Sequence, residues 1–192
     1  MSSALVYLAG KIGHHGWREK IVQRIDDLPG EIYTKDPSMT YIDCLYTTGP
    51  FFICCDHGCY HGTESHGVGA YSDNDFDTDH GFYPDLCCGP GVPSELVPII
   101  CKNQIVSSDF VFAYIDSDTC YGTLCEIGFA VGKGIPVVTM FANEELRKSM
   151  WFVAELADVV IDHEGYARRA RIDDELIFDF ALKISSRILG GE

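Results

Sequence analysis

The chain has 192 residues, 46% of them hydrophobic and 22% charged, which suits one domain with a sizeable core. A formal net charge of −15 excludes a surface built to bind nucleic-acid polymers or anionic membranes, while a single phosphate can still be held at a helix N-terminus. The apolar runs are too short to span a bilayer, no basic stretch precedes the first of them, and the nine cysteines are an odd count. Reduced thiols in a cytoplasmic protein are therefore expected.

In chain order, residues 5–9 predict a first strand, followed by the turn Gly10-Lys-Ile-Gly. Residues 17–25 have helical spacing, with Trp17, Ile21, Val22 and Ile25 on one face, and Pro29-Gly30 closes that unit. A second strand is predicted at 51–54. Residues 55–96 are rich in Gly, His, Asp, Cys and Tyr and carry no period. A structureless loop of about 40 residues is unusual in a compact domain, so this stretch is expected to be an ordered insertion or lid over the sheet edge. Beyond it, a helix is predicted at 94–106, a strand at 110–115 and a helix at 121–132 that stops at Lys133-Gly134. A strand at 137–141, a helix at 144–155, a strand at 159–162 and an amphipathic helix at 173–189 complete the pattern. Strands alternating with helices imply a single α/β domain over 1–192. Its predicted architecture is a doubly wound, flavodoxin- or Rossmann-like parallel sheet of five strands with helices on both faces.

In such sheets ligands bind beyond the carboxyl ends of the strands. The 110–115 strand ends in Asp116 and Asp118, and Glu126 follows in the next helix. With Thr123 as N-cap, Glu126 would sit where a capping box places its glutamate. Alternatively, a carboxylate near a helix start at this edge can act as a nucleophile or stabilise positive charge. Asp116 and Asp118 serve equally as turn residues, or as groups that bind sugar hydroxyls or shuttle a proton. Gly10-Lys11-Ile12-Gly13 can hold a phosphate or ribose but is no P-loop.

Cys54, Cys55, His57, Cys59, His61, His66, Cys87 and Cys88 are soft ligand types, but their spacing is not that of a standard zinc site. Asp73, Asp75, Asp77 and Asp79 lack the glycine and glutamate of a calcium loop. Neither a metal nor a cofactor is expected.

Four stretches carry a resemblance: Val6-Tyr-Leu-Ala-Gly-Lys-Ile; Trp17-Arg-Glu; Ser108-Asp-Phe-Val-Phe-Ala-Tyr-Ile-Asp; and Tyr121-Gly-Thr-Leu-Cys-Glu-Ile-Gly-Phe-Ala-Val-Gly-Lys-Gly-Ile-Pro. Together they resemble the nucleoside 2-deoxyribosyltransferase family, over roughly 1–25 and 100–140. The resemblance implies a flavodoxin-like enzyme that cleaves the N-glycosidic bond of a (deoxy)nucleoside or nucleoside monophosphate. It passes the sugar to another base or to water, and a non-catalytic nucleotide sensor of the same fold is the alternative. The resemblance also implies that Glu126 is the nucleophile and that Tyr7, Ala9 and Gly10 line the nucleoside pocket. Lys11, Trp17, Ser117 and Gly122, with Asp56, His57 and His66 of the insertion, join them as candidate substrate contacts, and Asp116 and Asp118 join Glu126 as candidate catalytic groups. The chain departs from the family pattern at two aspartate positions: one is Cys120 here, and the other falls near Cys101. The implied partners are a small-molecule nucleoside or nucleotide and further copies of the chain, for which Met150-Trp151-Phe152 offers apolar surface.

Overall fold

The computed structural model describes residues 4–11, 17–21, 38–39, 45–49 and 97–190. Among the described residues, seven strands form one sheet: β1 (Ala4–Gly10), β2 (Ser38–Met39), β3 (Leu45–Thr48), β4 (Phe110–Ile115), β5 (Val137–Phe141), β6 (Val159–Ile161) and β7 (Ala167–Ala170). Their order is β2-β3-β1-β4-β5-β6-β7. The five central strands are mutually parallel, and β2 and β7 are antiparallel edges. Taken in chain order, the parallel strands lie in space as second, first, third, fourth and fifth. That is the flavodoxin-like doubly wound arrangement, whose switch point falls between β1 and β4.

The parallel strands are near-continuous apolar runs because both their faces are covered. Every residue of β5 is buried, as is all of β4 except the half-buried Tyr114. In register, Leu8 pairs with Phe112 and Tyr7 with Val111, so alternate residues serve opposite faces. On the Tyr7 face lie α1 (Val97–Ser107) and α2 (Tyr121–Gly132), which pack on each other and on β1. The Phe112 face is covered by a 3-10 turn, Trp17–Lys20, on which α5 (Glu175–Ile188) packs. Lys20 Nζ donates to the Ile188 carbonyl at 2.6 Å and joins these two elements.

At the amino edge of the sheet, aspartates tie strands together. Asp109 Oδ2 accepts from the Leu5 N–H at 2.7 Å, and Asp158 Oδ2 accepts from the Val137 N–H at 2.9 Å. Helix α2 ends as expected at Lys133, and Gly134 takes the left-handed φ of 70° that favours glycine there.

Several expectations need correction. Among the described residues the five parallel strands are flanked by two antiparallel edge strands, which were not expected because they carry no alternating apolar signal. The single helix predicted at 144–155 is two helices, α3 (Glu144–Ser149) and α4 (Trp151–Leu156), separated at Met150, whose φ of −99° and ψ of 35° leave the helical region. The described part of the 17–25 helix is the 3-10 turn, although Trp17 and Ile21 do share the core. The strand beside β1 is Leu45–Thr48; the stretch at 51–54 lies outside the described residues, as does the 55–96 insertion.

Candidate functional site

Helix α2 begins directly after β4 and its turn, so its first turns stand at the carboxyl edge beside the switch point. Thr123, Ile127 and Ala130 form its buried stripe, and Glu126 falls on that same stripe at helical spacing. An acid in an inward-facing row must find donors or stay protonated. The helix starts at Tyr121 with Cys120 as a cap residue that makes no side-chain capping bond, and no acid lies in the first turn. The capping-box reading of Glu126 therefore fails: the helix begins too early for Glu126 to reach its N-terminus.

Glu126 is instead engaged by the sheet. Tyr7, wholly buried in β1, donates its hydroxyl to Glu126 Oε1 at 2.5 Å. Burial pushes the Glu126 carboxyl up from 4.5 to about 7, against the opposing pull of the Tyr7 hydroxyl, the Arg18 guanidinium and the Cys101 thiol. Burial, then the charge of Glu126, push the Tyr7 hydroxyl well above its ordinary value. The same two causes raise the Cys101 thiol to about 12. Near neutral pH, Tyr7 and Cys101 therefore keep their protons and Glu126 alone of the three titrates. A carboxyl poised near 7 can attack as an anion or exchange a proton at the working pH.

Arg18 is fully buried at the carboxyl end of β1. Its guanidinium donates to the carbonyls of Leu8 at 3.0 and 3.2 Å, Gly10 at 2.8 Å and Lys11 at 3.2 Å, and stacks 4.7 Å from the Trp17 ring centre. It thus organises the strand end and places a positive charge near Glu126.

The other sequence candidates divide into groups. Ala9 is buried in β1. Gly10 is packed so closely on Trp17 that a Cβ would lie 2.8 Å from the indole Nε1. Trp17 sits on Phe112 and Tyr114, with ring centres 6.1 and 5.5 Å away, on the sheet face opposite Tyr7. Asp116, Asp118 and Lys11 are exposed, and all three act on the buried Cys120 thiol. Burial raises that thiol, the two aspartates raise it further, and Lys11 draws it back. The Ser117 hydroxyl pairs with that of Thr119 at 2.8 Å, and Gly122 is exposed on the first turn of α2. Asp56, His57 and His66 lie outside the described residues, as do the cysteines and histidines of 54–88. Among the described residues, no group of three or more His, Cys, Asp or Glu side chains could hold a metal ion, and no helix is long and apolar enough to cross a membrane.

Among the described residues, Tyr7, Cys101 and Arg18 act on Glu126, and two of these, Cys101 and Arg18, were not singled out as functional in the sequence. Cys101 carried two signals: an aspartate of the family pattern falls near it, and it lies four residues before the buried Ile105 on α1. Arg18 lies in the Trp17-Arg-Glu stretch of the resemblance but was given no role, because a lone arginine beside a tryptophan reads as a surface residue.

Compared with known protein-family models and with curated proteins, the chain matches none.

Proposed function

We propose that the protein is an N-glycosidase or deoxyribosyltransferase acting on a nucleoside or nucleoside monophosphate, with Glu126 as its nucleophile. The observation that carries this reading is the Tyr7–Glu126 pair at 2.5 Å beside the switch point of a flavodoxin-like sheet. The sequence resemblance supplies the substrate class. It maps a nucleophilic glutamate and a pocket tyrosine onto the two residues that form this bond.

In the proposed reaction a Glu126 oxygen attacks the anomeric carbon. The C–N bond to the base breaks, the base leaves with that electron pair and takes a proton from solvent, and a glycosyl ester forms on Glu126. Water, or a second base, then attacks the same carbon. The ester C–O bond breaks, the incoming nucleophile loses its proton, and the carboxylate is restored. Tyr7 holds the carboxylate in place, and its bond weakens as the ester forms and the charge is lost. Arg18 keeps a fraction of the carboxyl ionised at a depth where burial alone would neutralise it. No step calls for a cofactor.

The test is free-base release, followed chromatographically, across a panel of ribo- and deoxyribonucleosides and their 5′-monophosphates. Release by the wild type that is absent in Glu126→Gln supports the reading. Release that persists in Glu126→Gln overturns the role of Glu126. Tight nucleotide binding without release would favour the second reading, a sensor, which the half-protonated state of Glu126 near pH 7 also fits.

A further inference from the structure

We propose that Tyr114 is a substrate-contacting residue, the aromatic wall against which the nucleobase lies, with Trp17 as the backing that holds it. This role rests on the glycosidic reading for its ligand class, and not on any chemistry at Glu126. It begins at the last rung of the β1–β4 ladder. There Gly10 pairs with Tyr114, so both residues point to the same face of the sheet. Gly10 has no side chain, and the Trp17 indole fills its place: a Cβ on Gly10 would lie 2.8 Å from Nε1 and 2.9 Å from Cζ2. Tyr114 stands beside that indole, with ring centres 5.5 Å apart and planes inclined at 57°.

The two rings differ in exposure. Trp17 is 6% exposed and its indole N–H is buried, so it is too enclosed to meet a ligand itself. Tyr114 is the one residue of β4 that is not fully buried. It lies one residue before the strand ends, at the carboxyl edge beside the switch point, where ligands of such sheets bind. Among the described residues its hydroxyl has no hydrogen-bond partner, so no bond at the ring's rim ties it to the fold. Burial, then the Asp116 charge, push that hydroxyl above its ordinary value, and the ring stays a neutral phenol. A half-open, uncharged ring held by a second ring is a stacking surface. Every base has a π-face to lay on it, and the ring is ordered before the base arrives. The ligand contact expected of Trp17 thus passes to Tyr114, and Trp17 acts through it.

The experiment uses the full-length protein carrying Trp151→Phe, which leaves Trp17 as the only tryptophan, and Glu126→Gln, which prevents turnover. Trp17 fluorescence is titrated with purine and pyrimidine nucleosides, their 5′-monophosphates and the free bases. The titrations are repeated with Tyr114→Phe and Tyr114→Leu added. The expected result is a saturable change in Trp17 emission. Tyr114→Phe should keep Kd within about threefold, and Tyr114→Leu should weaken it about tenfold or more, equally for a free base and its nucleoside. If the leucine variant does not fold, Tyr114→Met, which fills the space without a π-face, carries the same expectation. In the base-release assay with Glu126 intact, Tyr114→Leu should raise KM about tenfold or more and leave kcat within about twofold. A Kd that Tyr114→Leu or Tyr114→Met leaves within threefold overturns the proposal, as does a loss in Tyr114→Phe equal to that in Tyr114→Leu, or no binding by any compound of the panel. Base release with KM unmoved in Tyr114→Leu defeats the wall and leaves the glycosidic reading standing. Binding that depends on Tyr114 in a protein that releases no base upholds the wall and defeats the glycosidic reading.

Discussion

Glu126, half-buried on α2, and Asp162, buried just beyond β6, are two carboxyls on the same sheet, and their surroundings push them in opposite directions. Asp162 is 2% exposed just beyond β6. Burial pushes its carboxyl up, but the N–H groups of Tyr166 and Glu164, each at 2.9 Å, and the Arg168 guanidinium outweigh burial and hold it below its ordinary value. Glu126 accepts from the neutral Tyr7 hydroxyl, and among the described residues the positive charge acting on it is that of Arg18, which also donates to backbone carbonyls. Its carboxyl stays high, at about 7. Burial alone decides neither case; the number and charge of the donors does. Asp162 has the surroundings of a structural anion that closes the β6–β7 turn, and Glu126 those of a group left able to react.

The largest expected effect separates the two by function. Glu126→Gln should lower base release by about a thousandfold or more while leaving the fold intact, because the amide still accepts from Tyr7. Activity and circular dichroism on the same preparation check both halves. Tyr7→Phe should come next, with kcat reduced by about ten- to a hundredfold through loss of one hydrogen bond to a charged group. Asp162→Asn should do the reverse of Glu126→Gln, costing about 2 kcal/mol in urea unfolding with turnover per folded molecule unchanged.

The pH dependence sharpens the contrast by sign. The folded-state value of Glu126 lies above its unfolded value, so the native state holds the extra proton between about 4.5 and about 7. Its contribution to stability is present below about 4.5 and is lost as pH rises through about 7. For Asp162 the folded value is lowered, so its contribution is present above 3.8 and is lost as pH falls through that lowered value. Unfolding curves of wild type and Glu126→Gln should therefore diverge between pH 5 and 8, the variant being the flatter. Parallel curves would show that Glu126 is not shifted by burial. The smallest effect concerns packing at the strand end. Gly10→Ala forces a methyl group to within 2.8 Å of the Trp17 indole and should cost about 1–2 kcal/mol in the same assay.

Much of this framework is legible in the sequence where hydrophobic burial dictates it. β4, β5 and α2 have their predicted bounds, because a strand buried on both faces must be apolar throughout and a glycine ends the helix at a left-handed position. The antiparallel edge β7 is not legible: it reads Ala-Arg-Arg-Ala, is mostly exposed, and is held by Arg169 donating to the Ala154 and Ala157 carbonyls and pairing with Glu155. Glu126 stood out as a carboxylate at a sheet edge and Tyr7 as a pocket residue implied by the resemblance, but the bond between them did not. The contact with Tyr7 spans 119 positions and depends on how α2 docks on β1, which no local pattern encodes. Cys101 falls near the place where the resemblance expects an acid, and its influence on Glu126 and Tyr7 emerges only once α1 packs on α2 and β1.

The central claim is that Glu126 forms a covalent bond to a sugar, and the most direct measurement is mass spectrometry of the protein quenched in acid during incubation with a nucleoside substrate. The expected result is a mass increase equal to the sugar minus water, located by proteolysis on the peptide containing residues 121–132 at Glu126 and absent from Glu126→Gln. Rapid base release with no sugar adduct at any time point, or an adduct on a different residue, would contradict the account.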